Sequence, residues 1–155
     1  MLHFKISEIP ELPFKKAVKK KIPIRCCQIF QPFEVDSPEG KLAGKAGDFL
    51  MVGVEDELYP CSREIFEQTY EYVDQEAILH FNTLENIQLP FRLAVKKPIP
   101  VRFYQVNESF VVDSLEGTQE GKPGDLLMVG VSGEPYICAK RIFEKTYIPL
   151  EEFKS

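Results

Sequence analysis

The chain has 155 residues, 44% of them hydrophobic and 28% charged, with a formal net charge of −5. Such a composition is that of a soluble globular protein, sized for one ordinary domain or two small ones. No apolar run nears the roughly 20 residues of a membrane span, and nucleic-acid binding calls for a basic footprint that is missing. Residues 2–78 hold ten Lys/Arg against fourteen Asp/Glu, and residues 79–155 hold nine against ten, so neither half is a basic module. The opening MLHFKISEIPELPFKK lacks the basic-then-apolar order of a secretory signal, and a cytoplasmic protein is expected.

Taken in order, the chain repeats itself at an offset of 77 residues. Leu2-His3-Phe4 recurs as Leu79-His80-Phe81, and Ala17-Val18-Lys19-Lys20 recurs as Ala94-Val95-Lys96-Lys97. Gly44 to Tyr70 and Gly121 to Tyr147 align without a gap. About half of the aligned positions are identical, which predicts two units, 2–78 and 79–155. Each unit lies near the size at which a single core becomes marginal, so packing the two together around a pseudo-two-fold axis would bury further apolar surface.

Within a unit the pattern favours strands. After an ambiguous lead-in over Phe4 to Glu11, read as a short strand and an irregular turn, Ile22 to Ile29 and Ile99 to Val106 are rich in β-branched and aromatic residues. Phe33 to Asp36 alternates and runs into the turn cluster Ser37-Pro38-Glu39-Gly40, followed by a polar passage to Gly47-Asp48. Phe49 to Val54 is a continuous apolar run suited to a buried strand. The glycines inside this run and its copy, Gly53 and Gly130, predict a bulge or a close backbone approach. Glu55-Asp56 and Ser132-Gly133 predict tight turns, each returning the chain as a hairpin. Ser62 to Glu67 predicts one or two helical turns with Ser62 as N-cap, a cap the second unit omits because Ala139 stands there. Thr69 to Val73 and Thr146 to Leu150 read as final strands. The predicted class is mainly β with minor α, as two small barrel- or roll-like units.

The Gly-Asp turn, the apolar strand with its Gly, then Gly-Glu-x-Tyr, Phe and Thr-Tyr resemble short bacterial and phage proteins of the PGDYG family. In this chain these are Pro123-Gly124-Asp125-Leu126-Leu127, Gly133-Glu134-Pro135-Tyr136, Phe143 and Thr146-Tyr147. The first unit departs at Ala46, which replaces the proline, and at Asp56, which replaces the second glycine. The resemblance covers about the last 30 residues of each unit and implies a fold type without an activity.

Among polar residues the sharpest cluster is Lys19, Lys20 and Arg25 with Lys96, Lys97 and Arg102. Flanked by strand, these could bind phosphate or carboxylate, or they could form a solvated edge that deters aggregation. Arg25 and Arg102 interrupt apolar strands and call for carboxylates, with Asp36 or Glu39 and Asp113 or Glu116 as the natural partners. Asp48 and Asp125 read as turn residues accepting backbone hydrogen bonds. Tyr59 and Cys61, like Tyr136 and Cys138, should share one strand face and pack there. His3 and His80, with Glu8 or Glu85, could serve as acid and base but read better as structural. The four cysteines, Cys26, Cys27, Cys61 and Cys138, show neither CxxC nor zinc spacing and read as free thiols. No metal or cofactor is expected, and no nucleophile–base–orienter set can be assembled. The leading expectation is a non-catalytic binding module contacting a protein partner; the alternative is a binder of a nucleotide or another small anion through the Lys/Arg cluster.

Overall fold

In the computed structural model of the chain, residues 1–5, 8–73, 78–83 and 87–153 are described. The first half contributes β1 (Leu2–Phe4), β2 (Lys15–Lys19), β3 (Ile24–Gln28), β4 (Phe33–Ser37), β5 (Gly40–Gly44), β6 (Phe49–Val52), β7 (Leu58–Cys61), α1 (Arg63–Thr69) and β8 (Tyr70–Tyr72). The second contributes β9 (Ile78–Thr83), β10 (Ile87–Lys96), β11 (Val101–Gln105), β12 (Phe110–Ser114), β13 (Gly117–Gly121), β14 (Leu126–Val129), β15 (Pro135–Cys138), α2 (Lys140–Thr146) and β16 (Tyr147–Pro149). The protein is mainly β with two short helices, as the periodicity predicts.

The strands do not sort by half. Of the four sheets formed by the described residues, the largest has the order β7-β6-β3-β10-β8, with β9 antiparallel to β10, and the next has the order β15-β14-β11-β2-β16. Thus β10, from the second half, lies between β3 and β8 of the first, with Cys26 opposite Arg92 and Tyr70 opposite Lys96. Reciprocally, β2 lies between β11 and β16, with Ala17 opposite Val101 and Lys19 opposite Tyr147. Each of these two sheets has strands of both halves, on either side of the 78/79 repeat boundary. The expected barrel closure is absent among the described residues: the edge strands β7 and β8, or β15 and β16, are not paired through their backbones.

The continuous apolar runs are explained by cover on both sheet faces. Phe49 and Met51 of β6 pack with Phe66 of α1 and with Tyr70, while Leu50 and Val52 point the other way, to Val35 and Leu42. Phe49, Phe66 and Tyr70 stack in sequence, with centroids 3.7 and 5.0 Å apart. In the second half Leu126 and Met128 face Tyr147, and Leu127 faces Phe110 and Val112.

The polar passage after the Ser37–Gly40 turn turns out to be a strand. β5 pairs with β4 and β13 with β12, placing Gly44 opposite Phe33 and Gly121 opposite Phe110. A Cβ at either glycine would collide with the facing ring, so the position that alternation requires to be apolar is filled by the partner's aromatic ring. The two hairpins then meet each other: Ala43 N–H donates to the Glu116 carbonyl (2.8 Å) and Glu120 N–H to the Glu39 carbonyl (2.9 Å).

At Gly53 and Gly130 the close neighbour is a side chain, not the backbone approach or bulge that the sequence suggests. A side chain there would strike the Glu57 or Glu134 carboxylate, which folds back over the hairpin turn. Those carboxylates accept from Glu55 N–H (2.8 Å) and Ser132 N–H (2.9 Å). Asp48 and Asp125 tie two features together. One oxygen accepts from the turn at Lys45 or Lys122 (2.9 and 3.0 Å), and the other accepts from the first helical residue, Arg63 or Lys140 (3.0 and 3.1 Å). That clamp is present in both halves, whereas only α1 has a capping hydroxyl, Ser62 Oγ accepting from Ile65 N–H.

Candidate functional site

The site begins with strand alternation in β2 and β10. Val18 and Ala17 are fully buried, one on each face, and Lys19 continues the Ala17 face, directly opposite Tyr147. Residues directly opposite in an antiparallel pair share a face, and the Lys19 ammonium stands 5.3 Å from the centre of the Tyr147 ring. Lys96 stands 5.0 Å from the Tyr70 ring in the same relation. The rings orient the two cations without neutralising them.

Tyrosine side chains bring the edges of each sheet together. Tyr136 of β15 and Tyr147 of β16 lie 3.3 Å apart, oxygen to oxygen, and Tyr59 packs against the cluster that holds Tyr70 in the other sheet. Each sheet therefore curls over a lysine. The two curled sheets open on one another around a partly open cavity of about 160 Å³ whose walls include Lys19, Lys96, Tyr59, Tyr136, Cys61 and Cys138. Four carboxylates also line it: Glu39 and Glu116, at the tips of the abutting hairpins, and Glu57 and Glu134.

Burial governs the protonation of this cavity. It lowers the Lys19 ammonium, and together with the neighbouring charge of Lys19 it brings Lys96 down to about 8. It raises Glu39 and Glu116 to about 7, helped by the negative charge of Asp125 on the first and of Asp48 on the second. The Cys61 and Cys138 thiols are pushed up to about 12, and Tyr59, Tyr70, Tyr136 and Tyr147 are all raised, again through desolvation. Thiols and phenols are thus neutral hydrogen-bond donors at physiological pH. Among the described residues no carboxylate lies within 4 Å of either lysine ammonium.

The six basic residues singled out from sequence divide by strand face. Lys19 and Lys96 enter the cavity. Lys20 and Lys97 use their backbone N–H groups to bind the Thr146 and Thr69 carbonyls (both 2.7 Å), and their side chains lie outside it. Arg25 pairs with Asp56 across the β6–β7 turn, and neither Asp36 nor Glu39 is within ion-pair distance. Arg102 lies 5.1 Å from the Phe14 ring, since Gly133 stands where the first half has Asp56. Asp113 is taken by His3, at 2.9 Å, in place of the expected Glu8. That contact follows from β1 pairing in parallel with β12 of the other half. Glu85 and the His80 side chain lie outside the described residues.

One wall residue gives no signal in either half alone. Gln119 is buried, and its Oε1 accepts from Ile137 N–H at 3.0 Å. The equivalent pair is Leu42 and Pro60. Proline has no N–H to satisfy, so an apolar Leu42 suffices where Pro60 stands, and an acceptor is needed where Ile137 stands. Only the aligned repeats reveal this exchange. Among the described residues no group of His, Cys, Asp and Glu is arranged to hold a metal, and no helix is long and apolar enough to cross a membrane. All four cysteines are free, Cys26 and Cys27 being buried. Comparisons with protein-family models, with curated proteins and with solved structures gave no match.

Proposed function

We propose that the two repeats form equivalent β units, related by a pseudo-two-fold axis and exchanging one strand, and that they enclose a single site for one small anionic molecule. The observation that carries this reading is that Lys19 and Lys96, one from each half, enter the same cavity with no carboxylate within 4 Å among the described residues. Glu57 and Glu134 line the same cavity and favour the charged form of Lys19 and Lys96 from beyond ion-pair distance. Burial still lowers both lysines, and an anion in direct contact offsets that cost. Tyrosine hydroxyls and thiols supply neutral donors around the charge. The cavity volume matches that of a roughly 150 Å³ cavity able to hold a ring as small as benzene, which favours a ligand of a few heavy atoms. The segments that resemble the PGDYG family supply Tyr59, Cys61, Tyr136 and Cys138 to the walls, and name no activity.

Titration calorimetry and thermal shift with acetate, malonate, succinate, pyruvate and phosphate test the proposal. The expected result is one ligand per chain and a raised melting temperature for a subset of the panel. Silence from the whole panel at millimolar concentration sinks it, and a protein recovered bound from the native cell would then favour the interaction-module reading. The response to pH has a defined sign. Glu39 and Glu116 ionise through about 7 and Lys96 loses its proton through about 8, so anion affinity falls as pH rises across that window. Without ligand, the raised carboxyls remove stability as pH climbs from their ordinary value of 4.5 to about 7. The lowered Lys96 restores stability only from about 8 toward 10.5. The contribution of the empty cavity to stability is therefore lowest between about 7 and 8, where a ligand has most to relieve.

A further inference from the structure

An amine nucleophile must be neutral, and proteins make lysine so by desolvating it or by setting it beside a second cation. Both devices are present in this cavity. Lys19 and Lys96 enter one small, partly open cavity from opposite halves, each against a tyrosine ring. Among the described residues no carboxylate is within 4 Å of either, and Glu57 and Glu134 of the cavity lining act on them only from farther off. When two like charges share a site, the first proton lost belongs to the pair and leaves one amine and one ammonium. That is a division of labour. A ligand with an acidic group and an electrophilic carbon a bond apart would meet both.

We propose that the anion site described above captures a small 2-oxo acid covalently, one lysine of the Lys19–Lys96 pair forming an imine with the carbonyl carbon while the other, as ammonium, holds the carboxylate. The amine lone pair adds to the carbonyl carbon, and the carbonyl oxygen becomes the hydroxyl of a carbinolamine as the nitrogen gives up a proton. Protonation of that hydroxyl lets it leave as water while the nitrogen lone pair closes the C=N bond. No oxidant or reductant is consumed, and hydrolysis reverses each step. Glu39 and Glu116 stand in the same cavity as acids, and burial keeps a fraction of them protonated near neutral pH, so either carboxyl supplies the proton for the departing water. The proposal rests on the anion-site reading and adds to it a bond and a substrate class.

Borohydride trapping tests it on the whole chain. With pyruvate present, hydride should reduce the C=N bond to a stable secondary amine, adding one reduced pyruvate per chain to the intact mass and mapping to Lys19 or Lys96. Lys20 and Lys97, next to them in sequence and outside the cavity, are internal comparators. Labelling of the cavity lysine should exceed theirs by about tenfold or more, because a lowered ammonium has far more free amine at neutral pH. Lys19→Met and Lys96→Met, checked for folding by circular dichroism, should each reduce labelling of the surviving lysine, since each removes both the neighbouring cation and the carboxylate holder. Labelling that is absent, or spread evenly over surface lysines, while pyruvate still raises the melting temperature overturns the imine and leaves the anion site standing. Absence of both labelling and thermal shift overturns both readings. Unchanged labelling in the single variants overturns the paired mechanism.

Discussion

The two halves of the chain share one cavity, and they differ there in an instructive way. Lys19 and Lys96, Glu39 and Glu116, Tyr59 and Tyr136, Cys61 and Cys138, and Tyr70 and Tyr147 are identical pairs at the offset of 77. On the wall one difference is a compensated set, Leu42 with Pro60 on one side and Gln119 with Ile137 on the other, and the cap position, Ser62 against Ala139, is a second difference. Away from the wall, Asp56 beside Arg25 stands against Gly133 in the half of Arg102. The comparison separates the ionisable side chains of the cavity, which are identical in the two halves, from lining positions that each half fills in its own way.

Its sharpest test lies in the shared pairs. Lys19→Met and Lys96→Met should each weaken anion binding by about 10- to 100-fold, the worth of a charge-assisted hydrogen bond at 1.5–3 kcal/mol. Calorimetry would show the loss in both variants alike, and a loss confined to one of them would break the equivalence of the halves. Gln119→Leu should cost about 1–3 kcal/mol in chemical denaturation because it orphans the Ile137 N–H. Adding Ile137→Pro, which recreates the first-half pair, should recover most of that. Gly121→Ala should cost about 1–3 kcal/mol, since the Phe110 ring above it is fully buried. Gly44→Ala should cost less, because Phe33 is only half-buried and its ring can swing aside. Smallest is the cap: Ser62→Ala should lose about 1 kcal/mol, and Ala139→Ser should gain up to the same amount.

Much of the fold was legible in the residues, and particular positions show why the remainder was not. The buried strand Phe49 to Val52, the hairpin to Cys61, the short helix and the strand at Tyr70 each carry a local signature. β5 and β13 do not, because their inward positions include Gly44 and Gly121, whose apolar cover comes from rings on another strand. Strand exchange leaves no trace at all: Lys15 to Lys19 would read the same whether it paired in its own half or across. At the site, Lys19 and Lys96 stood out as members of a basic run, but only alternation on a paired strand separates them from Lys20 and Lys97. Glu39 and Glu116 were read as partners for arginine, and their place at the cavity depends on two hairpins crossing. That crossing is a long-range event no local pattern encodes.

The strands that pair across the two halves also bear on how the chain is made. As synthesis proceeds, β3 and β8 emerge with a gap between them that only β10 can fill, so Cys26 waits for Arg92 and Tyr70 for Lys96. Until then two strand edges stand open, the condition under which nascent chains are most exposed to wrong pairing. β2 waits longer still, for β11 and then β16 near the other end. The first half cannot be finished before the second has begun, and the completed protein should open as one unit. Native-state amide exchange would show this as matching protection in β3 and β11; independent opening of the two sheets would contradict it.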